Sequence, residues 1–359
     1  MVLCLFFLPA ILLGVVTPLL TTLALRGDAR TGHVVGLMHA LAALGSILGT
    51  FVTGYWLVQY LGTRNIVLLT ALGLSLLAIP YLRRGSPVAP LAALGLAVPL
   101  GLATWAQEGF ATPCDRESNY FCIRVVDSSG ELVPGPARSL ILDHLVHGTN
   151  HRDDPGLLLA PYTHLMDELV RERWGGETRG LRFFFAGGGA YTQPRAVKAG
   201  YPGARITVAE LDEQVTETAR RDLYLDDGAM TILHGDARVI LRGQAPGGLY
   251  TLNLVDLFPD PRLVKSLLKT LRQVFRHVHV WVHELPREPL RMTFVVSASD
   301  GDGPPELIRS GRGLRRGWMR VTEPLGITGT PLGELPLLRD DYVPVERLVS
   351  SLLLTAEGM

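Results

Sequence analysis

Charge is scarce where this chain begins. Of 68 charged residues, only seven fall in the first 110 positions: Arg26, Asp28, Arg30, Arg64, Arg83, Arg84 and Glu108. A stretch so poor in charge cannot cover its own surface in water, which excludes a single water-soluble domain, and its apolar content excludes disorder. Cysteine is scarce as well. Cys4, Cys114 and Cys122 make neither a disulfide framework nor a Cys-x-x-Cys metal pair, so the chain reads as cytosol-facing or redox-neutral. An excess of either sign is also lacking, with 34 basic residues against 34 acidic. No field that would seek a polyanion follows from that balance, and nucleic acid is not an expected partner.

What the first third does have is long apolar runs. Residues 1–25 carry no charge and are long enough to cross a hydrocarbon core of about 30 Å at about 1.5 Å per residue. A cleaved leader would need a basic start and a small-residue cleavage site, and neither is present. Residues 34–61, 65–82 and 88–106 follow as a second, third and fourth expected span, the last weakened by Pro90 and Pro99. Gly45 and Gly49 clear one face of the second for close helix packing. No Asp, Glu, Lys or Arg lies inside any of the four, so the usual mark of an ion or proton path is missing. The expected organisation is an α-helical membrane segment over residues 1–106, a small antiparallel β-unit with a linking helix over 107–175, and an α/β Rossmann-like domain over 176–359.

The Rossmann-like expectation rests on alternation. Strand-like runs at 120–127 and 138–145 are separated by turn residues, and 162–173 reads as an amphipathic helix. From residue 181, strands and helices alternate, which argues for a parallel sheet covered by helices. The first strand, 181–186, ends in Gly187, Gly188 and Gly189; the second, 205–209, in Glu210 and Asp212; the third, 230–234, in Gly235, Asp236 and Ala237. Open α/β sheets bind ligands at such strand ends. Three glycines let a ligand approach the backbone, Glu210 is placed to accept from both ribose hydroxyls, and Asp236 from an adenine amino group. Taken singly, each acid is equally a helix cap and the glycine run a tight turn. Together they point to an adenosyl nucleoside, without deciding between NAD and S-adenosyl compounds.

These residues resemble the spermidine synthase family, in the membrane-fused branch that carries an N-terminal transporter-like segment. Glu117-Ser118-Asn119-Tyr120 is similar to the opening of that family's β-domain, and Leu140 to Asp143 with Leu145 to His147 is similar to its hairpin. Asp153 to Pro155 and Tyr162 to His164 resemble the stretch leading into its substrate-side helix, and Asp340 to Val345 a tail of the fused branch. The resemblance implies transfer of an aminopropyl group from decarboxylated S-adenosylmethionine to a diamine such as putrescine, with no metal; the nucleoside features are shared with methyltransferases generally, which keeps use of S-adenosylmethionine by a methyltransferase as an alternative. The resemblance also implies Tyr120, Asp143, Tyr162 and His164 on the substrate side, a lipid bilayer as partner and a second copy of the chain as another.

Departures from the pattern are equally visible. Only ten residues separate Asp236 from Gly247, where a helix, strand and helix would need about thirty, so the central strand and its carboxylate are expected to be missing. Asp256, at the end of the strand 249–255, is the remaining candidate for the base, provided that strand takes the vacant place; otherwise it caps the next helix. Ala190-Tyr191-Thr192 stands where the family has Asp-Gly-Gly. His277, His279 and His283 share one strand face without metal-ligand partners, and His144, His147 and His151 read as loop residues. Arg309 to Arg320 reads as a solvated or headgroup-facing basic loop.

Orientation divides the signals. Arg26, Arg30, Arg83 and Arg84 would draw their loops into the cytoplasm, which with four spans leaves the C-terminal domain outside. Gly54 to Arg64 resembles the cytoplasmic Gly/Arg loop of major-facilitator transporters, and a nucleoside metabolite is made in the cytosol. The expectation adopted is a multi-pass protein of the plasma or inner membrane with a cytoplasmic C-terminal domain.

Overall fold

A computed structural model of the chain describes residues 2–26, 30–82, 99, 101–102, 105–106, 111–130, 133–175, 180–241, 248–301 and 303–350. It divides into two compact units, Met1–Cys122 and Ile123–Met359. The expected fourth span, the basic pair Arg83 and Arg84 and the turn 245–247 lie almost wholly outside the described residues.

In the first unit α1 (Val2–Leu25) is followed by α2 (Thr31–Val52), a π-helical turn (Thr53–Leu57) and α3 (Val58–Leu82), with the two-residue strand β1 (Arg116–Glu117) further along. The expected second and third spans fall within one continuous stretch, Thr31–Leu77, of 47 residues, long and apolar enough to cross a membrane and kinked between the two at Gly62. The part before Gly62 would by itself reach about 46 Å at about 1.5 Å per residue, enough for one crossing of a hydrocarbon core. The helix departs from helical geometry at Gly62, whose φ of +74° suits glycine. Leu37, Leu41, Leu44, Leu48 and Phe51 are all exposed, as lipid contact requires and water does not favour. Several separate crossings are not shown.

The cysteine expectation is corrected. Cys114 and Cys122 form a disulfide, with Cα atoms 5.3 Å apart. A tight turn brings them together: Ser118 N donates to Phe121 O, while Ser118 Oγ accepts from the amides of Tyr120 and Phe121. Eight residues closed by such a turn suffice, whatever the total number of cysteines.

The second unit holds three layers of strands. An antiparallel meander runs β2 (Cys122–Asp127), β3 (Ala137–Leu142), β4 (Leu145–His151). Next come α4 (Pro161–Trp174) and a parallel sheet of β5 (Arg182–Ala186), β6 (Arg205–Glu210) and β7 (Met230–His234), with α5 (Thr192–Gly200), α6 (Glu213–Asp222) and the short α7 (Ala237–Leu241) as connections. A five-stranded sheet has the order β11-β12-β9-β10-β8, with β8 at Leu249–Phe258, β9 at His277–Val282, β10 at Leu290–Ser299, β11 at Leu307–Arg309 and β12 at Gly317–Arg320. Its core lies on both faces. Val264 and Leu268 of α8 (Arg262–Leu271) pack on Val278, Val280, Phe294 and Val296, and Leu165 and Leu169 of α4 pack on Trp281, Val295 and Trp318.

β8 pairs antiparallel with β10 along its whole length, from Leu249↔Ser299 to Phe258↔Leu290. β5 pairs with β6 alone. Among the described residues no strand joins the two sheets, so β8 does not occupy the place beside β5.

Candidate functional site

The parallel sheet positions its strand ends in step. Ala186 stands opposite Ala209, and Glu210 opposite His234, so the glycine run, Glu210 and Asp236 follow neighbouring residues of three adjacent strands. Backbone bonds fix the turns: Gly187 N donates to Ala209 O over 2.8 Å, and Gly235 N to Glu210 O over 3.0 Å. Gly187 and Gly189 have φ of +94° and +52° with open space where a side chain would stand, which leaves the loop accessible to a ligand. Gly188 is required for another reason. A Cβ there would lie 2.4 Å from the Tyr191 ring.

Tyr191 replaces a glycine of the resembled pattern and is itself unusual. It is fully buried in the left-handed region at φ 57°, and its hydroxyl pairs with Thr216 Oγ1 at 2.7 Å. Burial pushes its pKa up to about 12, so it remains a neutral phenol and supports the loop from below.

Glu210 points into the glycine gap, where it is already engaged. Its Oε2 accepts from the amides of Gly188 at 2.6 Å and Gly189 at 3.1 Å, and Oε1 from Asp212 N at 3.0 Å. A carboxylate offers about four lone-pair sites, so one is left. The expected acceptance of both ribose hydroxyls therefore requires Glu210 to release at least one glycine amide, which a ligand oxygen could then take. Asp212 caps α6 by accepting from Gln214 N. Asp236 holds Arg238 through both carboxylate oxygens and accepts from Arg238 N, and Ala237 opens α7. Leu211, Leu233 and Val239, each within three residues of Glu210 or Asp236 along the chain, are exposed.

Asp256 is a correction to the expected base. Its side chain is 1% exposed, with Oδ1 accepting from Leu257 N and Oδ2 from Leu263 N at 2.9 Å and Val264 N at 3.1 Å. Pro261, at the start of α8, has no N–H to donate and no side-chain oxygen to cap with, so the helix amides are met by this carboxylate from the strand before. Burial pushes its pKa up against the pull of those three amides. A group enclosed in this way has no line to a substrate amine.

The four substrate-side expectations fare differently. His164 is 2% exposed, with Nε2 facing Arg312 O and Glu168 and its ring edge-on to Trp318. It is a packing residue, because a helix position turned toward the second sheet cannot also face the strand ends. Tyr162 packs beside the same cluster, and burial raises its hydroxyl pKa. Tyr120 is exposed in the first unit. Asp143 sits in the β3–β4 turn at φ 56°, exposed, and its charge reaches His147.

His147 is the residue that pattern reading missed. It and His151 lie on β4, not in a loop. The basic-loop expectation is also corrected: Arg312 makes a two-bond ion pair with Asp167, and Arg316 donates to Leu158 O and Leu159 O, pinning the segment to α4 and the residues before it. Among the described residues no group of three His, Cys, Asp or Glu side chains is placed to hold a metal.

No protein-family model and no curated protein matches the chain. Solved structures do. A probable spermidine synthase from Corynebacterium glutamicum ATCC 13032 aligns over 63% of this chain and 96% of its own, with a TM-score of 0.50 and 19% identity. Spermidine synthase from Thermotoga maritima aligns over 51% of this chain and 71% of its own, with a TM-score of 0.37 and 17% identity. A spermidine synthase in complex with the transition-state analogue AdoDATO aligns over 51% and 72%, with a TM-score of 0.38 and 16% identity. The first of these establishes the fold: the chain contains a Rossmann-like unit of spermidine-synthase type.

Proposed function

We propose that the chain is a membrane-anchored aminopropyltransferase of spermidine-synthase type. In this reading decarboxylated S-adenosylmethionine lies across the ends of β5, β6 and β7, and a diamine such as putrescine receives its aminopropyl group. The observation that carries the reading is the register that aligns Gly187 to Gly189, Glu210 and Asp236 around an accessible glycine loop. The residues fit such a donor: the loop offers amides and open space, Glu210 a carboxylate for the ribose, and Leu211, Leu233 and Val239 an apolar bed for the base. Transfer needs the amine held in line with the carbon beside the sulfonium and relieved of a proton. S-Adenosylmethionine in the same place, with methyl transfer instead, is the neighbouring alternative.

A second reading is a catalytically silent adenosyl-binding or scaffold protein, and two observations favour it. Asp256 is committed to α8, and a disulfide such as Cys114–Cys122 persists in an oxidising compartment. The enzyme reading places the second unit in the cytoplasm. Adding methylthioadenosine to the full chain in lipid nanodiscs is expected to raise its thermal midpoint, and labelled decarboxylated S-adenosylmethionine with putrescine to yield labelled spermidine. Binding without product selects the silent reading, turnover of labelled S-adenosylmethionine selects methyl transfer, and absence of binding removes the nucleoside site altogether.

A further inference from the structure

We infer that His147 is the proton acceptor for the attacking amine at this site, in place of the carboxylate that the missing strand would have carried. The inference rests on the aminopropyl-transfer reading and adds to it the identity of the base. Three features of the backbone bring β4 at His147 beside the turn that follows the glycine loop. Leu140 pairs with Gly148 and Ile141 with Val146, so His147 is the extra residue of a β-bulge. Bulges break the strict alternation of side chains and re-aim one of them, commonly beside an active site. Immediately after it, β4 touches the turn that follows the glycine loop: a Cβ on Gly148 would lie 2.8 Å from Ala190 Cβ and 2.6 Å from Thr192 Oγ1. Two residues further, Asn150 donates to Ala190 O at 2.6 Å and accepts from Thr192 Oγ1 at 2.8 Å, which locks the hairpin onto that turn.

The charges around His147 agree with this placement. His147 is exposed on β4, yet the protein packed to one side of it desolvates the ring enough to lower its pKa below the usual histidine value, while Asp143 in the hairpin turn and Glu210 at the end of β6 pull it upward. The first effect wins, so the imidazole is neutral at pH 7 and able to take a proton. Asp143 and Glu210 then stabilise the imidazolium that results. In the step itself, a proton of the diamine's ammonium group passes to an imidazole nitrogen. The freed nitrogen lone pair forms a bond to the carbon beside the sulfonium, and the carbon–sulfur pair leaves on sulfur as a neutral thioether.

The test uses the full chain in nanodiscs, with decarboxylated S-adenosylmethionine and putrescine as substrates and methylthioadenosine as the binding probe. His147→Gln, close in size and polarity, and His147→Ala are compared with the unaltered protein. Loss of a general base lowers kcat by about 10²-fold or more. The expected result is that loss in both variants, removal of the acidic limb of the kcat/KM profile, and methylthioadenosine affinity within about threefold of the parent. The proposal is overturned if the parent transfers aminopropyl groups and His147→Gln does so at the same rate with the same pH profile; the transfer reading then stands without it. If the parent binds methylthioadenosine and yields no product, the transfer reading fails and the base assignment with it.

Discussion

Replacing Asp256 separates architecture from chemistry. The Asp256→Ala variant removes a buried carboxylate that accepts from Leu257 N at 2.8 Å, Leu263 N at 2.9 Å and Val264 N at 3.1 Å. Loss of a helix cap costs about 0.5–2 kcal/mol, and a buried amide left without a partner about 1–3 kcal/mol. Water admitted to the space relieves part of this, so the expected loss is about 2–4 kcal/mol. For a unit of this size about 1 kcal/mol moves the midpoint by about 2–4 °C, which gives a fall of about 4–16 °C. Asp256→Asn keeps one accepting oxygen and is expected to lose about half as much. The measurement is thermal unfolding of the full chain in nanodiscs, followed by tryptophan fluorescence, with methylthioadenosine binding recorded in parallel. Binding at temperatures well below the midpoint should be unchanged. Either variant melting within 2 °C of the parent would refute the capping argument. Asp256→Asn that melts normally and loses transfer would return the carboxylate to the reaction.

Three further outcomes follow from the same coordinates. Glu210→Gln gives up the charge that a ribose would meet, and is expected to weaken methylthioadenosine binding by about 10-fold or more in isothermal titration, since a hydrogen bond to a charged group is worth about 1.5–3 kcal/mol. Burial alone would raise the pKa of Asp260, but the Lys265 ammonium and Thr330 overcome it and hold the group at about 2. Because this folded value is below the unfolded one, the stabilisation is complete above about pH 4 and is lost as the pH falls through 2; Asp260→Asn should flatten that part of an acid-unfolding curve. Cys114 and Cys122 in intact cells are expected to resist maleimide until a reductant is added, and reactive thiols without reductant would contradict the disulfide.

The local parts of the site could be read from sequence because each strand end announces itself: a glycine run after 181–186, and single acids after 205–209 and 230–234. The shortfall between Asp236 and Gly247 likewise pointed to a vacant place in the sheet. Partners set by tertiary structure could not be read in this way. Nothing in the spacing around Asp256 says that Leu263 and Val264 amides lie within reach, and nothing in Arg312 announces Asp167, 145 positions earlier. His147 was hidden by a bulge, since one extra residue in β4 defeats the alternation by which strand faces are assigned. The division expected between residues 61 and 65 falls where the helix breaks, at Gly62.

Two half-sheets without a common strand leave α4 as a splint between them. α4 packs on β8, β10 and β11 on one side and on α5 on the other, and α5 packs on β6. Ion pairing of Asp167 with Arg312 and the acceptance by Glu168 of the Gly311 amide fasten that splint to the second half. A sheet with an unbroken ladder would transmit cooperativity through its hydrogen bonds, whereas here α4 and the segment it holds carry it among the described residues. Calorimetry should therefore resolve two endotherms once Asp167 is replaced by alanine, and a nucleoside should displace only the one that belongs to β5, β6 and β7.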